Sequence, residues 1–146
     1  MKSIVQILKS KPDQAVFSIE LTASVFEAAS LMEQKNIGAL LVLEGERIAG
    51  IVTERDLARK MVLADRSPKQ TPVRDIMHSP VQCVHPRHTN EECMALMTQK
   101  RLRHLPVTDD GRLIGLVSIG DLVKDMISEQ EFIIQQLEHY IAGDRG

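Results

Sequence analysis

Apolar residues recur along the chain at two spacings, one typical of helices and one typical of strands. At residues 25–32 and again at residues 93–97, apolar side chains repeat every three or four positions, which predicts a helix with one core-facing stripe. A hydroxyl and a carboxylate mark the start of each stretch, as Ser24-x-x-Glu27 and Thr89-x-x-Glu92. In such a capping box both side chains satisfy free backbone N–H groups, so we expect helices to begin there.

Runs of β-branched and aliphatic residues predict the strands, and turn residues between paired runs predict hairpins. The predicted strand segments are 16–19, 39–43 and 48–53 in the first half and 81–84, 104–108 and 113–118 in the second. A second helix is expected after each hairpin, from Glu54 to about Asp65 and from Ile119 onward. The order strand, helix, strand, strand, helix therefore occurs twice.

The chain repeats itself. A shift of 65 positions aligns residues 17–62 with residues 82–127 without a gap, and an internal duplication explains so long a match. The apolar pairs that precede the copies, Ile7-Leu8 and Ile76-Met77, also correspond. We therefore expect two copies of one unit that pack face to face. The expected divisions are residues 1–66 for the first repeat, 67–127 for the second and 128–146 for a C-terminal helix and tail.

The C-terminal segment predicts one further helix. Ser128 and Glu131 match the capping pattern, and apolar residues continue at helical spacing until Gly143, a typical helix terminator. These apolar residues are Ile133, Ile134, Leu137, Tyr140 and Ile141. We expect this stripe to pack against the chain's own body, and contact with a second copy or a partner is the alternative.

Composition narrows the function of this 146-residue chain. A net charge of −2 and 3% aromatic residues do not fit a nucleic-acid-binding surface, which needs basic groups and stacking side chains. Two cysteines are too few for a disulfide framework, and no apolar run has the length of a membrane span or a secretory leader. We therefore expect a cytoplasmic protein that binds neither nucleic acid nor membrane.

Four segments together resemble a tandem pair of cystathionine beta-synthase (CBS) domains, across roughly residues 1–127. These segments are residues 50–57, 75–77, 103–107 and 115–122. The resemblance implies a mixed α/β (α+β) fold whose two repeats pack with pseudo-two-fold symmetry, usually within a homodimer. It also implies a non-catalytic regulatory module that binds AMP, ADP, ATP, NAD or S-adenosylmethionine between its repeats. Because no output domain is evident, the signal is expected to act in trans on a protein partner.

The resemblance also assigns ligand contacts at the turns between strand and helix. Asp56 and Asp121 are expected to accept hydrogen bonds from the ribose hydroxyls, for which a carboxylate offers two acceptor oxygens. Thr53 and Ser118 are expected to contact ribose or phosphate near helix N-termini, which favour anions. The full set of expected ligand-binding residues is Ile37, Gly38, Ala39, Thr53, Arg55, Asp56, Leu102, Arg103, His104, Ser118, Gly120 and Asp121. The alternative is that these turns are plain helix caps.

The two copies differ around the expected ligand. The resemblance places the backbone of residues 37–39 and 102–104 beside the adenine, where Gly38 leaves room and Arg103 offers charge. Phosphate groups need positive charge, which arginine and histidine side chains supply. The candidates are Arg55, Arg59, Arg101, Arg103 and His104, with Lys9 and Lys11 also able to reach a ligand. A solvated surface is the alternative for the helical arginines. Unequal sites can hold different ligands, or one of them can be empty.

Three other functions compete with this one. Four potential metal ligands lie close together in sequence, namely Cys83, His85, His88 and Cys93. Their spacing matches no metal-binding motif, and Cys93 falls on a core stripe, so we expect no metal. Catalysis needs a nucleophile with a base, and neither that pair nor a phosphate-binding glycine loop is evident. A scaffold whose clefts hold no ligand is the main alternative.

Overall fold

The computed structural model describes residues 2–11 and 16–141 of the chain, which form a mixed α+β fold as predicted. The helices are α1 (Ile4–Ser10), α2 (Val25–Lys35), α3 (Glu54–Asp56), α4 (Asn90–Lys100) and α5 (Ile119–Ile141). The strands are β1 (Ser18–Glu20), β2 (Ala39–Glu44), β3 (Arg47–Thr53), β4 (His104–Asp109) and β5 (Arg112–Ser118). A π-helical turn (Leu57–Val62) continues α3, so the helix predicted from Glu54 ends slightly early. Two short 3-10 turns, Pro68–Gln70 and Val73–Asp75, lie before α4.

The chain divides into two compact units whose boundaries differ from those of the repeats in sequence. The first-copy unit comprises residues 15–82, and the second-copy unit comprises residues 1–14 together with residues 83–146. We call the segments that precede the two copies in sequence, around Ile7-Leu8 and Ile76-Met77, the lead-ins. The lead-ins are exchanged between the units, because α1 belongs to the second-copy unit while Val73–Asp75 belongs to the first-copy unit. The boundaries expected from the sequence, at residues 1–66, 67–127 and 128–146, refer to the duplicated sequence and not to these compact units, and they stay a prediction.

The first-copy unit is built on a three-stranded sheet in the order β1-β2-β3. β1 pairs with β2 in parallel, and β2 pairs with β3 as an antiparallel hairpin in which Leu40 lies opposite Val52. The predicted stripe of α2 is buried against this sheet. The core consists of Val25, Ala28, Met32, Leu40, Val42, Val52, Met61, Val73 and Ile76. Val73 and Ile76 come from the exchanged lead-in, so that segment completes this core.

The second-copy unit is built on the antiparallel hairpin of β4 and β5, in which Leu105 lies opposite Val117. α1 supplies the part of the core that the other unit takes from residues 73–76, since Ile4 and Ile7 are 0% and 2% exposed. The complete core consists of Ile4, Ile7, Val84, Cys93, Met97, Leu105, Val107, Val117 and Leu122. The strand predicted at residues 81–84 is wrong, because this segment forms one isolated bridge, from Val84 to Val107.

A proline explains why residues 81–84 do not form a counterpart of β1. In the first-copy unit Leu41 N donates to Phe17 O at 3.2 Å, next to the parallel pairing of β1 and β2. The residue equivalent to Leu41, 65 positions on, is Pro106, which has no N–H to donate. Two backbone hydrogen bonds join Val84 to β4: Val84 N donates to Pro106 O, and Thr108 N donates to Val84 O, both at 2.9 Å.

Each lead-in packs on the backbone of a strand at a glycine. A Cβ atom on Gly50 would lie 2.6 Å from Met77 Sδ and 2.7 Å from the carbonyl oxygen of His78. A Cβ atom on Gly115 would lie 2.7 Å from Leu8 Cδ2. At Gly50 one of these atoms belongs to the backbone, so this position needs glycine, whereas at Gly115 the flexible end of Leu8 can shift. This packing brings the residues that follow each lead-in to the end of the strand, where the next helix begins.

α5 runs without interruption from Ile119 to Ile141, so the helix start predicted at Ser128 is wrong. No glycine or proline lies between Asp121 and Ile141, and nothing ends the helix that begins after Ser118. The expected packing of its distal half against the chain's own body is also wrong for the described residues, since Ile133 is 52% and Leu137 55% exposed. Gly143 lies outside the described residues. None of the described helices combines the length and the apolar character that crossing a membrane demands.

Candidate functional site

Two equivalent turns, one in each unit, join a strand to a helix. In the first, Asp56 N donates to Thr53 Oγ1 at 3.3 Å, and Thr53 N donates to Asp56 Oδ2 at 2.9 Å. In the second, Asp121 N donates to Ser118 Oγ at 3.2 Å, and Ser118 N donates to Asp121 Oδ2 at 2.8 Å. One oxygen of each aspartate therefore takes part in a helix cap, as expected if these turns are helix caps. Whether the turn can also bind a ligand depends on the contacts of the other oxygen.

The segments expected to border an adenine lie beside these turns. Glu54 N donates to Gly38 O at 3.0 Å, and Ile119 N donates to Arg103 O at 2.9 Å. Each hydrogen bond joins the first residue of a helix to the loop that enters the preceding hairpin. The structure therefore brings residues 37–39 and 102–104 to the helix start of their own units. The side chains of Ile37 and Leu102 pack against the cores and are therefore turned away from a ligand beside the turns.

In the first-copy unit, Asp56 is buried and fully engaged. Its side chain is 3% exposed, and Oδ1 lies 2.7 Å from His78 Nε2 and 3.4 Å from Lys60 Nζ. Lys60 Nζ also donates to the carbonyl oxygen of Ile76 at 2.9 Å, which ties the helix after β3 to the lead-in. With Oδ2 held by Thr53, both oxygens of Asp56 have partners within the unit.

Sequence analysis did not predict His78 or Lys60 as partners of Asp56. Lys60 lies one helical turn after Asp56, and this spacing is a signal for an ion pair that the sequence contains. His78 has no such local signal, because the exchange of lead-ins brings it to Asp56.

In the second-copy unit, Asp121 is more open. Lys11 Nζ lies 3.0 Å from Asp121 Oδ2, and the side chains are 25% and 21% exposed. Lys11 Nζ also donates to the carbonyl oxygen of Leu116 at 2.9 Å. Ser118 and Lys11 thus share Oδ2, and within residues 2–11 and 16–141 no partner contacts Oδ1. Lys11, which sequence analysis named as able to reach a ligand, therefore lies on the predicted ribose acceptor.

His104 lies at the edge of the second-copy turn. It begins β4 and pairs with Ser118 of β5. Its counterpart in the first-copy unit is Ala39, which pairs with Thr53. Burial lowers the pKa of His104 below 6.5; the Asp121 charge opposes this, and the Lys11 and Arg103 charges lower the pKa further. The lowered pKa favours the neutral imidazole at pH 7, which offers one donor and one acceptor.

A cleft of about 260 Å³ opens beside Asp121 in the second-copy unit. Its lining residues are Lys2, Ile7, Ser10, Lys11, Asp121, Lys124, Asp125 and Ser128. Lys2 pairs with Asp125 at 3.2 Å, and Asp125 in turn accepts a hydrogen bond from buried Asn90 at 2.8 Å. The cleft therefore lies between α1 and α5 and carries three lysines with two carboxylates.

The other residues predicted to contact a ligand differ in their position relative to the two turns. Arg55 and Arg103 are exposed near the two turns, where they can meet a ligand from solvent. A Cβ atom on Gly120 would lie 3.6 Å from Ser118 Oγ, an ordinary contact, so space does not demand glycine there. Arg101 is exposed and ends α4 in the left-handed conformation, with φ of 56°. Arg59 is exposed on the π-helical turn.

Three of the four potential metal ligands have other contacts in the structure. Cys93 is buried in the core, and burial with the neighbouring Glu92 charge raises the pKa of its thiol to about 11, which disfavours the thiolate that binds metals. His85 N donates to His88 Nδ1 at 2.8 Å within a loop. Over the part of the chain that the structure describes, no three His, Cys, Asp or Glu side chains converge on a point where a metal ion would fit.

Comparison with known proteins gives a consistent result. A protein-family model described as CBS domain matches the chain twice, at residues 7–63 and 73–128. The chain is 42% identical over 125 residues to the CBS domain-containing protein CBSX3, mitochondrial, of Arabidopsis thaliana, covering 82% of this chain and 61% of the plant protein. It is 35% identical over 115 residues to the CBS domain-containing protein YhcV of Bacillus subtilis, covering 79% of this chain and 81% of that protein.

Among solved structures, the chain is similar to one from Burkholderia ambifaria that is described as a signal-transduction protein with CBS domains. The two share 54% sequence identity and superpose with a TM-score of 0.85. The match covers 88% of this chain and 96% of the other. The plant relative is longer, so this chain corresponds to less than two thirds of its length.

Proposed function

The chain belongs to the CBS-domain family, and from this premise we propose that it is a regulatory module that binds an adenosine-containing ligand in its second-copy unit. Proteins built from a pair of CBS domains are generally regulatory or signal-transduction modules. One observation carries the choice of site: Asp121 is a part-exposed carboxylate at a helix start with an oxygen still available. Asp56, its counterpart, has no such oxygen.

A ribose fits the hydrogen-bonding groups around Asp121. Its two adjacent hydroxyls are donors, and Asp121 Oδ1 is an acceptor that neither Ser118 nor Lys11 uses. Ser118 Oγ accepts from Asp121 N, so its own hydrogen is still available for a ribose or phosphate oxygen. The backbone of residues 102–104, joined to the helix start through Ile119, is positioned to border the base.

The charges in the cleft favour a ligand that carries phosphate. With the ribose on Asp121 Oδ1, the Lys11 ammonium on Oδ2 and Lys124 on the same cleft supply the positive charge that a phosphate needs. A phosphate also stabilises the protonated form of His104. AMP, ADP, ATP and NAD carry such groups, whereas S-adenosylmethionine brings a positive sulfonium toward these lysines. We therefore expect the phosphorylated ligands to bind more tightly.

The ligand would act through the segment after α1. Lys11 directly follows this helix and contacts Asp121, so a ligand that binds both side chains is coupled to the end of α1. A ligand shifts such an equilibrium only by its difference in affinity for the two states. We propose that the module works as a homodimer and that a protein partner in trans recognises the shifted state.

The test is a calorimetric titration of the nucleotide-free protein with AMP, ADP, ATP, NAD and S-adenosylmethionine. Asp121→Asn keeps the size of the side chain but removes its charge, and we expect at least ~10-fold weaker binding. Asp110→Asn is the matched control, because Asp110 is exposed in a turn with φ of 53°, which asparagine also adopts. It should bind like the parent chain.

Two outcomes would count against the proposal. If Asp121→Asn binds as tightly as the parent protein, the ligand lies elsewhere. If the folded parent protein binds none of the five ligands at millimolar concentration, a scaffold without ligand is the better description.

A further inference from the structure

α5 carries a row of side chains, apolar except for Gln130, that its own unit leaves exposed. Ile134, Leu137 and Ile141 are 53%, 55% and 81% exposed, and every described residue from Gln130 onward is exposed. An uncovered helix of roughly a dozen residues is only marginally stable in water, because its hydrogen bonds barely offset the loss of chain entropy. A surface outside this unit is needed to cover the row.

We propose that α5 of a second copy of the chain covers this row as an antiparallel helix pair, an inference that rests on the homodimer proposed above and names its contact surface. The row consists of Val123, Ile127, Gln130, Ile134, Leu137 and Ile141, which follow one another at alternating spacings of four and three residues. This spacing is that of a two-helix coil, whose side chains fit between those of a helix with the same spacing. α5 of a second copy has the same spacing, and in a two-fold dimer the same surface of each chain contacts that of the other.

The antiparallel pair aligns the row with itself. With the axis near Phe132, Ile127 faces Leu137 of the second copy, and Val123 faces Ile141 of the second copy. Gln130 faces Ile134 of the second copy, and its long side chain can extend its amide to solvent. Apolar contacts therefore continue over ~27 Å of helix, which is the length from Val123 to Ile141.

The residues beside the row decide the orientation. In the antiparallel pair, Lys124 meets Glu138 of the second copy, and symmetry produces this contact twice. On the other edge, Met126 meets Tyr140 of the second copy, and Ile133 meets its own equivalent. Charged residues thus face charged ones and apolar residues face apolar ones, which is the complementarity that sets partner orientation in helix pairs.

A parallel pair lacks this complementarity. It would place Met126 beside Glu131 of the second copy and Ile133 beside Glu138 of the second copy, each an apolar residue against a carboxylate. The antiparallel pair has one unfavourable contact, between Glu131 and its equivalent near the axis, against two Lys124 contacts with Glu138. The charges therefore favour the antiparallel pair.

Sedimentation velocity of the full chain between about 1 and 100 µM tests the pairing. We expect a dimer whose dissociation constant rises at least ~30-fold in Ile134→Glu and in Leu137→Glu, because each places a charge in the row. Leu63→Glu is the matched control, since Leu63 is an 80% exposed apolar residue outside α5, and it should leave the dimer unchanged. Circular dichroism confirms that each variant is folded. A monomeric parent protein, or an Ile134→Glu variant that dimerises normally, overturns the proposal.

Charge reversal tests the orientation separately. Lys124→Glu and Glu138→Lys should each weaken the dimer by ~3-fold or more, and the double variant should regain the parent affinity, because the pairs reform with opposite signs. In a parallel pair these residues lie ~21 Å apart along the helix and would not compensate. A double variant no tighter than the weaker single variant overturns the antiparallel orientation. None of these outcomes depends on an adenosine ligand, so the ligand proposal stands or falls by its own titration.

Discussion

The two aspartates at the strand-to-helix turns share a backbone setting and differ in everything around it. Asp56 is 3% exposed, with Thr53 on one oxygen and His78 and Lys60 on the other. Asp121 is 21% exposed and accepts through a single oxygen. The first-copy turn receives His78 from its lead-in and Lys60 from its own helix, whereas the second-copy turn receives Lys11. The comparison teaches that a duplicated motif can stabilise the fold in one copy while the other copy stays accessible.

The largest effect should come from the glycines under the lead-ins. Gly50→Ala places a Cβ atom 2.7 Å from the backbone oxygen of His78, which is held by its bridge to Ile51. We expect the free energy of unfolding to fall by about 3 kcal/mol, because backbone cannot move aside cheaply. Gly115→Ala meets only the flexible end of Leu8 and should cost about 1 kcal/mol. Urea denaturation of both variants measures the difference, and equal losses would show that the two lead-ins are held alike.

The aspartates themselves should come next. Asp56→Ala removes a cap and leaves Lys60 and His78 without their carboxylate, so we expect a loss of about 2 kcal/mol. Asp121→Ala removes a cap and one part-exposed ion pair and should cost about 1 kcal/mol. The same urea denaturation compares them. A larger loss for Asp121→Ala would reverse the roles assigned to the two copies.

The pH dependence that His104 produces should have no counterpart in the first copy, where Ala39 takes its place. The pKa of His104 is lowered mainly by burial, so the unfolded chain binds a proton near pH 6.5 while the folded chain does not. The free energy of unfolding should therefore fall as the pH drops below 6.5, until the folded histidine is protonated too. His104→Asn should flatten this slope between about pH 5 and 7 in urea denaturation. An unchanged slope would mean that other groups produce it.

The smallest expected effect is a difference in stability at acid pH between the caps of α4 and α2. In α4, Thr89 N and Thr89 Oγ1 donate to Glu92 at 3.1 and 3.0 Å, and these bonds lower the pKa of Glu92 below 4.5. The stability that Glu92 adds should therefore be present above pH 4.5 and be lost as the pH falls through the lowered pKa. Glu92→Gln should remove this acid limb, measured by urea denaturation. Glu27→Gln is the control, because the bond seen in α2 runs from Glu27 N to Ser24.

Local signals predicted the elements that depend on local physics. α2 and α4 begin at the capping boxes, and both hairpins lie where turn residues separate apolar runs. The failure at residues 81–84 also has a local cause, since Pro106 lacks the N–H that Leu41 donates in the other copy. Comparison of the two aligned copies would have revealed it. α1 was not predicted, although Ser3 N donates to Gln6 Oε1 at 3.0 Å in a pattern that the sequence contains.

The candidate site was predictable only in part. The turns at Thr53 and Ser118 and the adjoining loops follow from the repeat and the resemblance, and the structure brings them together in each unit. The burial of Asp56 by His78 was not predictable, because it depends on the exchange of lead-ins between distant segments. No local spacing encodes such a contact. The helix start predicted at Ser128 was wrong because a capping pattern has no effect inside a helix that is already formed on both sides of it.

The exchange of lead-ins bears on how the chain folds as it is synthesised. Residues 15–82 form a continuous stretch, so the first-copy unit can assemble as soon as that stretch has left the ribosome. α1 is made earlier, yet its core partners extend to Leu122, so its apolar face must wait while most of the chain is translated. During this interval Ile4 and Ile7 are open to other apolar surfaces, including the related core of the unit that folds first. The polar residues that hold α1 in place, Lys2 and Lys11 with their carboxylates on α5, would thus also help it reject the wrong copy.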